Sequence, residues 1–216
     1  MWSIKVKPDG TVKLNNIKQD VECVEIPSVY EGKQVTELNK RFLKNAPSLK
    51  KVVVAEGIKE IADFAFADCE KLEEVVLPDS LKVIGKSAFV NCSKLKNVTM
   101  PKMLTSLGDG AFAGCSNLKE IIVPDGVRVL APFVFSNCSK LKNVQLPVGL
   151  KEISCRAFFW CRGLRELVIP DSVELIDKEA FAYCMPDKPI KLKSKEGGYV
   201  ENFAKRKPTL QFVPIK

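Results

Sequence analysis

Leu118-Lys119-Glu120-Ile121-Ile122-Val123-Pro124 is one statement of a pattern that recurs every 23 residues along the chain. Its leading leucine has counterparts at Leu49, Leu72, Leu95, Leu141 and Leu164. The same step carries Phe66, Phe89, Phe112, Phe135, Phe158 and Phe181, and again Cys69, Cys92, Cys115, Cys138, Cys161 and Cys184. A fixed period of roughly 20–50 residues marks a solenoid, in which each unit buries its apolar face against the next. The unbroken period predicts one elongated domain.

Strand alternation places Leu118, Ile121 and Val123 inward and Glu120 and Ile122 outward. Proline then ends the strand, because it cannot donate to a ladder; Pro78, Pro101, Pro124, Pro147 and Pro170 hold that place, with Ala55 the exception. Asp79-Ser80, Asp125-Gly126 and Asp171-Ser172 supply turn chemistry behind it. A second apolar pair follows, as in Leu81 with Ile84 and Val127 with Leu130. Then comes Ala-Phe-x-x-Cys, as in Ala88-Phe89-Val90-Asn91-Cys92, with Val134 replacing alanine once. This is expected to form a tight helical or 3₁₀ turn that carries the chain back to the next strand, with phenylalanine filling the interior. Stacked on a parallel ladder at ~4.8 Å per coil, six units would span ~29 Å.

The ends differ from the middle. Ile4 and Val6, a turn at Pro8-Asp9-Gly10, then Val12 and Leu14 read as a β-hairpin or paired edge strands. Val24-Glu25-Ile26-Pro27 repeats the strand pattern, Tyr30-Glu31-Gly32-Lys33-Gln34 inserts a turn, and Val35, Leu38, Phe42 and Leu43 resume the coil. The expected division is a cap and degenerate first repeat over 1–48, six regular repeats over 49–186, and a closing cap over 187–216. Terminal units of a solenoid are atypical because their outer faces have no neighbour.

The pattern L-x-x-[VI]-x-[LVI]-P-x-x-[LV]-x-x-[IL]-x-x-x-A-F-x-x-C resembles the BspA-like leucine-rich repeat family across nearly the whole chain. Val24-Glu25-Ile26-Pro27-Ser28 with Gly32-Lys33-Gln34-Val35-Thr36 resembles that family's first repeat. Gly197-Gly198-Tyr199-Val200-Glu201-Asn202-Phe203-Ala204-Lys205, then Leu210-Gln211-Phe212-Val213, resembles its closing helix and strand. The departures are Ala55, Val134, and Met185-Pro186 where the next leucine is due. The resemblance implies a right-handed leucine-rich-repeat solenoid, an α/β-type superhelix with one main parallel sheet, short helical or 3₁₀ turns and a cap at each end. It also implies adhesion or protein binding at a cell surface.

Composition narrows the rest. The formal charge is +8, and Lys188–Lys216 alone holds eight basic residues against two acidic ones, a net +6. Such an end could attract a polyanion, or could be a solvated capping face. No apolar run is long enough to span a membrane. Met1–Lys7 lacks the apolar core of a secretory signal, so the chain is expected either to be cytosolic or to begin after a removed signal. Six thiols in vertical register fit a buried ladder of free cysteines better than bridges, because stacked side chains point the same way. Many free thiols suit a reducing compartment and an intracellular scaffold. Cys155, and with it Cys23, falls off that ladder, and Cys155 is expected to be the thiol to test for reactivity. With no histidine and no C-x-x-C, neither a metal site nor a cofactor is expected. The lack of histidine also removes the usual general base, and no phosphate-cradling loop is present, so no enzyme is expected.

Recognition is better supported. Val53, Val76, Thr99, Ile122, Gln145 and Val168 form an outward column, mostly apolar. It reads either as a strip that a partner covers or as β-branched residues suited to exposed strands. The neighbouring column Lys50, Glu73, Lys96, Lys119, Lys142 and Arg165 is mostly basic. It would suit an acidic protein or a polyanion, or be a solvated edge. Phe159 and Trp160 stand where other coils carry small or polar residues, and Tyr183 falls one coil later in the Trp160 column. They would either cluster outside as a contact site or pack under the closing cap. A monomer that binds a protein partner is the expectation these columns give.

Overall fold

The computed structural model describes residues 2–15, 20–184 and 188–215. The departure at Met185-Pro186 lies outside them. Coils stack with like residues in vertical register. Val52 pairs with Val75 and Val75 with Val98 in parallel strands, a step of one repeat each. Leu118, Ile121 and Val123 are buried, and Glu120 and Ile122 are exposed, as alternation requires. The strands Lys51–Val54, Glu74–Val76, Asn97–Val98, Glu120–Ile122, Asn143–Gln145 and Glu166–Val168 form one side of the stack, the strand face.

Beside this main parallel sheet runs a second column of strands. The second column runs through Glu60–Ile61, Val83–Ile84, Ser106–Leu107, Val129–Leu130, Glu152–Ile153 and Leu175–Ile176. It is built from the second apolar pair: Leu81 and Ile84 are both fully buried, and the backbone between them extends far enough to hydrogen-bond to its neighbours. The strand face is not continuous. Its ladder is broken between Asn97–Val98 and Glu120–Ile122, and again between Asn143–Gln145 and Glu166–Val168.

The Ala-Phe-x-x-Cys segments are turns in which no helix propagates. Alternate amides go to different partners. Ala65 and Ala67 donate back three residues, to the carbonyls of Ala62 and Phe64. Phe64, Phe66 and Asp68 donate to the next coil, to Lys86, Ala88 and Val90, at 2.8–2.9 Å. Phe64 and Asp68 have φ of 59° and 60°, in the left-handed region, which stops a helix from continuing. A right-handed helix would bond every amide within its own segment. Here half of them stitch one coil to the next.

Inside, the phenylalanines form a continuous column. Centroids from Phe66 to Phe181 are 5.2–6.1 Å apart and the rings are stacked. Each such ring pair adds ~0.5–1.5 kcal/mol beyond area burial. The column extends downward through Phe42 to Trp2, whose ring stacks on Phe42 at 5.3 Å. An antiparallel hairpin, Ile4–Val6 with Val12–Leu14, carries Trp2 there. Glu37 ties that hairpin to the first coil through Lys7 at 2.5 Å and Lys13 at 2.7 Å.

The cysteines line the same core, and their thiols have a specific partner. The Sγ of Cys115 donates to the carbonyl of Phe89 at 3.2 Å, and Cys92, Cys138, Cys161 and Cys184 do likewise to Phe66, Phe112, Phe135 and Phe158. The Phe89 carbonyl also accepts the amide of Cys92. Both of its lone pairs are therefore used, one within the coil and one from the coil above. All eight cysteines are free.

At the C-terminal end the strand face gains Ile190–Ser194 and Leu210–Pro214, both parallel to it, with the helix Tyr199–Lys205 between them. The Tyr199 hydroxyl accepts the amide of Ile176 at 2.9 Å, which satisfies an edge donor of the second column. The helix thus closes the stack by burying Val200 and Ala204 and by occupying an otherwise open strand edge.

Candidate recognition surfaces

The strand face positions its side chains by alternation alone. Val76, Thr99, Ile122, Gln145 and Val168 are exposed and Val53 is half-buried. Ile122 is 61% exposed and Val168 51%, values that set them apart from the buried valines and isoleucines beside them. The two breaks in the ladder coincide with grooves. One, of about 360 Å³, lies at Thr99, Met100, Ile122 and Val123; the other, of about 530 Å³, lies at Gln145, Val148, Val168 and Ile215.

The basic column beside it is divided. Lys50 is paired with Glu22 at 2.8 Å and Lys96 with Glu73 at 3.1 Å, so at the N-terminal end the charges cancel. Lys119 and Lys142 are exposed and have no ion pair among the described residues; Arg165 is exposed one coil further. The uncompensated lysines therefore flank Ile122 and Gln145. In the closing segment, Lys193, Lys195 and Lys205 are tied to Glu166, Asp171 and Glu201. Its +6 is thus partly spent inside the fold.

The turn side of the last coils carries a second surface. Phe159, Trp160 and Tyr183 come together with centroids 5.3–6.3 Å apart. Phe159 is half-buried, while Trp160 and Tyr183 are 40% and 70% exposed, so the rings cluster outside. Arginines lie over them: Arg156 over Phe133 at 5.8 Å and Phe159 at 5.2 Å, and Arg162 over Trp160 at 4.5 Å. Phe133, Arg156 and Arg162 were missed by sequence reading. Column comparison marks Arg162, which stands where other coils hold Glu70, Ser93, Ser116 and Ser139, while Phe133 and Arg156 share a column with Arg41 and Phe64 and do not stand out. Ser93, Ser116 and Ser139 each donate to the backbone of the coil below, a role arginine does not fill.

Backbone conformation marks the same place. Asn45, Asp68, Asn91, Gly114 and Asn137 occupy one left-handed column, and Trp160 (φ 59°) and Tyr183 (φ 61°) continue it. Glycine, asparagine and aspartate tolerate that region; a bulky residue there costs ~1–2 kcal/mol.

The thiols offer no reactive centre in the core. Burial pushes Cys69 up to about 11 and Cys138 and Cys184 up to about 12, and holds Cys92, Cys115 and Cys161 well above the ordinary thiol value. Cys155 is half-buried and is also raised, by desolvation and then by Asp177 and Glu179, which disfavour its thiolate. Its expected reactivity is corrected accordingly: Cys23, on an edge strand and exposed, is the more accessible thiol. Among the described residues no group of histidine, cysteine or carboxylate side chains could hold a metal ion. No helix among them is long and apolar enough to cross a membrane.

The stacked parallel coils define the class: a leucine-rich-repeat solenoid. The family description "BspA type Leucine rich repeat region" matches residues 13–72 and 59–187 in six copies, and the chain belongs to that family. No curated protein matches it. Among solved structures it is similar to a Treponema pallidum (T. pallidum) leucine-rich repeat protein, with 28% identity, a TM-score of 0.81, and coverage of 86% of this chain and 88% of that one. It is also similar to a leucine-rich cell surface protein of Faecalibacterium prausnitzii, at 28% identity and a TM-score of 0.80, spanning 88% of this chain but only 52% of that chain. A Bacteroides ovatus leucine-rich repeat protein, 22% identical with a TM-score of 0.74, shares the fold over 99% of this chain and 66% of its own length. The family and fold are generally non-enzymatic and are associated with protein binding.

Proposed function

We propose that this protein recognises another protein through the strand face, by shape and charge complementarity and without chemistry. The observation that carries the reading is the apolar strip of Val76, Ile122 and Val168, exposed on a rigid sheet and bordered by the uncompensated Lys119 and Lys142. Val76, Ile122 and Val168 alternate with the exposed Thr99 and Gln145, a mixture of apolar and hydrogen-bonding groups of the kind protein interfaces use. The grooves at the two ladder breaks would let a partner's side chains enter the strip. The chain acts as a single monomeric leucine-rich-repeat domain over 1–216, with the six regular repeats over 49–186 presenting the face.

Adhesion at a cell surface is the physiological setting this reading favours, in line with the name of the F. prausnitzii relative. An intracellular scaffold is the second setting, and the free thiols favour it. Polyanion binding through the closing segment is a weaker reading, because three of its lysines are already paired. The test is capture of partners from host and self protein extracts by wild type, Ile122→Glu and Val76→Glu. Loss of the same partner with both variants is expected. Retention with both would rule out the strand face.

A further inference from the structure

We propose that the aromatic and arginine cluster on the turn side of the last two coils docks an acidic peptide segment bearing one large apolar side chain. This site shares no residue with the exposed column and lysines of the strand face and stands independently of them. Three observations converge there. First, Trp160 and Tyr183 sit in a left-handed column that asparagine, aspartate and glycine fill in the earlier coils, and their rings stay exposed, Trp160 at 40% and Tyr183 at 70%. The Tyr183 ring in particular gains little burial within this chain to offset that strain, and such strain concentrates at ligand sites.

Second, the surroundings are cationic. Among the described residues the carboxylate lining the adjoining groove is Glu179, and it is held by Arg156 at 2.8 Å. Arg162, Lys178 and Lys207 line the adjoining groove and make no ion pair among the described residues. Long-range charge of this sign steers and orients an anionic partner. Third, that groove, of about 530 Å³, has an apolar floor that includes Phe181, Ile190, Phe203 and Leu210. A nucleic-acid base or a sugar entering it would lose hydrogen bonds to water that the floor cannot replace. An apolar side chain would lose none. The cations at the rim select carboxylates and the floor selects an apolar anchor, which together describe an acidic peptide. Tryptophan, tyrosine and arginine are also the residues that dominate protein contact energies.

The probe is a fluorescein-labelled octapeptide of glutamates with one central phenylalanine, titrated with the full chain by fluorescence anisotropy. The comparison peptide carries alanine at the centre. The expected result is binding of the phenylalanine peptide, about tenfold or more weaker with alanine. The double variant Trp160→Asn with Tyr183→Asn should bind at least about tenfold more weakly while melting no lower than wild type. Arg162→Glu should weaken binding without unfolding the protein, and Ile122→Glu should leave it unchanged. Equal binding of the alanine peptide, tighter binding of oligothymidylate or a heparin hexasaccharide, or no binding at all would overturn the proposal. So would undiminished binding by the double variant. A lower melting temperature for that variant would show the rings to be structural and would overturn it as well.

Discussion

Two columns of side chains climb this solenoid in the same 23-residue step and follow different rules. The interior column is phenylalanine from Phe66 to Phe181, stacked and buried in every coil. The outer left-handed column changes identity: Asn45, Asp68, Asn91, Gly114 and Asn137, then Trp160 and Tyr183. Inside, the neighbour above and below fixes both volume and shape, so one residue type persists. Outside, backbone conformation and a few side-chain contacts, such as the Asn91 amide donating to Asp68, constrain the choice less tightly, so several residues suffice. Trp160 and Tyr183 are the places in that column where bulky rings replace the small polar residues. Uniformity in the core therefore reports architecture, and a broken rule on the surface points to function.

The largest effect should come from breaking the interior column. Phe112→Ala removes a fully buried ring between two stacked neighbours and should destabilise by ~3–5 kcal/mol. Urea denaturation would measure it, and an unchanged midpoint would contradict the stacking.

Taken one residue at a time, the next effect belongs to the thiols that line the same core. Their pKa values are raised in the folded state by burial, so above about pH 9 the unfolded chain releases protons that the folded chain keeps. Stability is then fully present below the unfolded pKa and falls as pH rises through the window up to the folded values, about 11 for Cys69 and about 12 for Cys138 and Cys184. Each ladder thiol contributes roughly 1.4 kcal/mol per pH unit in that window, so six together should make alkaline unfolding steep. Denaturant midpoints at pH 8, 9 and 10 would show it, and Cys138→Ala should reduce the slope by about one thiol's share.

A smaller and more discriminating effect comes from exchanging residues along the outer column. Asn137→Trp should lower stability by ~1 kcal/mol, and Trp160→Asn should raise it by a similar amount, because the left-handed site accepts asparagine. If both changes destabilised, the ring at 160 would be part of the packing and the contrast between the columns would collapse.

Much of this was legible in the sequence. Alternation placed Leu118, Ile121 and Val123 inside and Ile122 outside, and the period placed the phenylalanines and cysteines in register. The hairpin at Ile4–Val6 and Val12–Leu14 lies where alternation indicated, and the closing helix and strand lie where the family resemblance implied. Three features were not legible. The second strand column is two residues per coil, too short for alternation to reveal. The ladder breaks at Asn97–Val98 and Asn143–Gln145 depend on inter-coil spacing, which no residue type announces. Trp2 over Phe42 joins residues 40 positions apart across an irregular first coil, where the 23-residue step no longer counts. The aromatic cluster was half legible: Phe159, Trp160 and Tyr183 stood out from their columns, but Arg156 and Arg162 need the geometry to join them.

Counting reactive thiols tests the shared register of the coils most directly. A maleimide is applied to native protein and to protein in guanidinium, and the adducts are counted by intact mass. The ladder predicts rapid labelling of Cys23, slower labelling of Cys155, no labelling of the other six in the native state, and eight adducts once unfolded without reductant. More than two adducts on native protein would place ladder thiols at the surface. Fewer than eight on unfolded protein would reveal bridges, and either count would contradict the buried column.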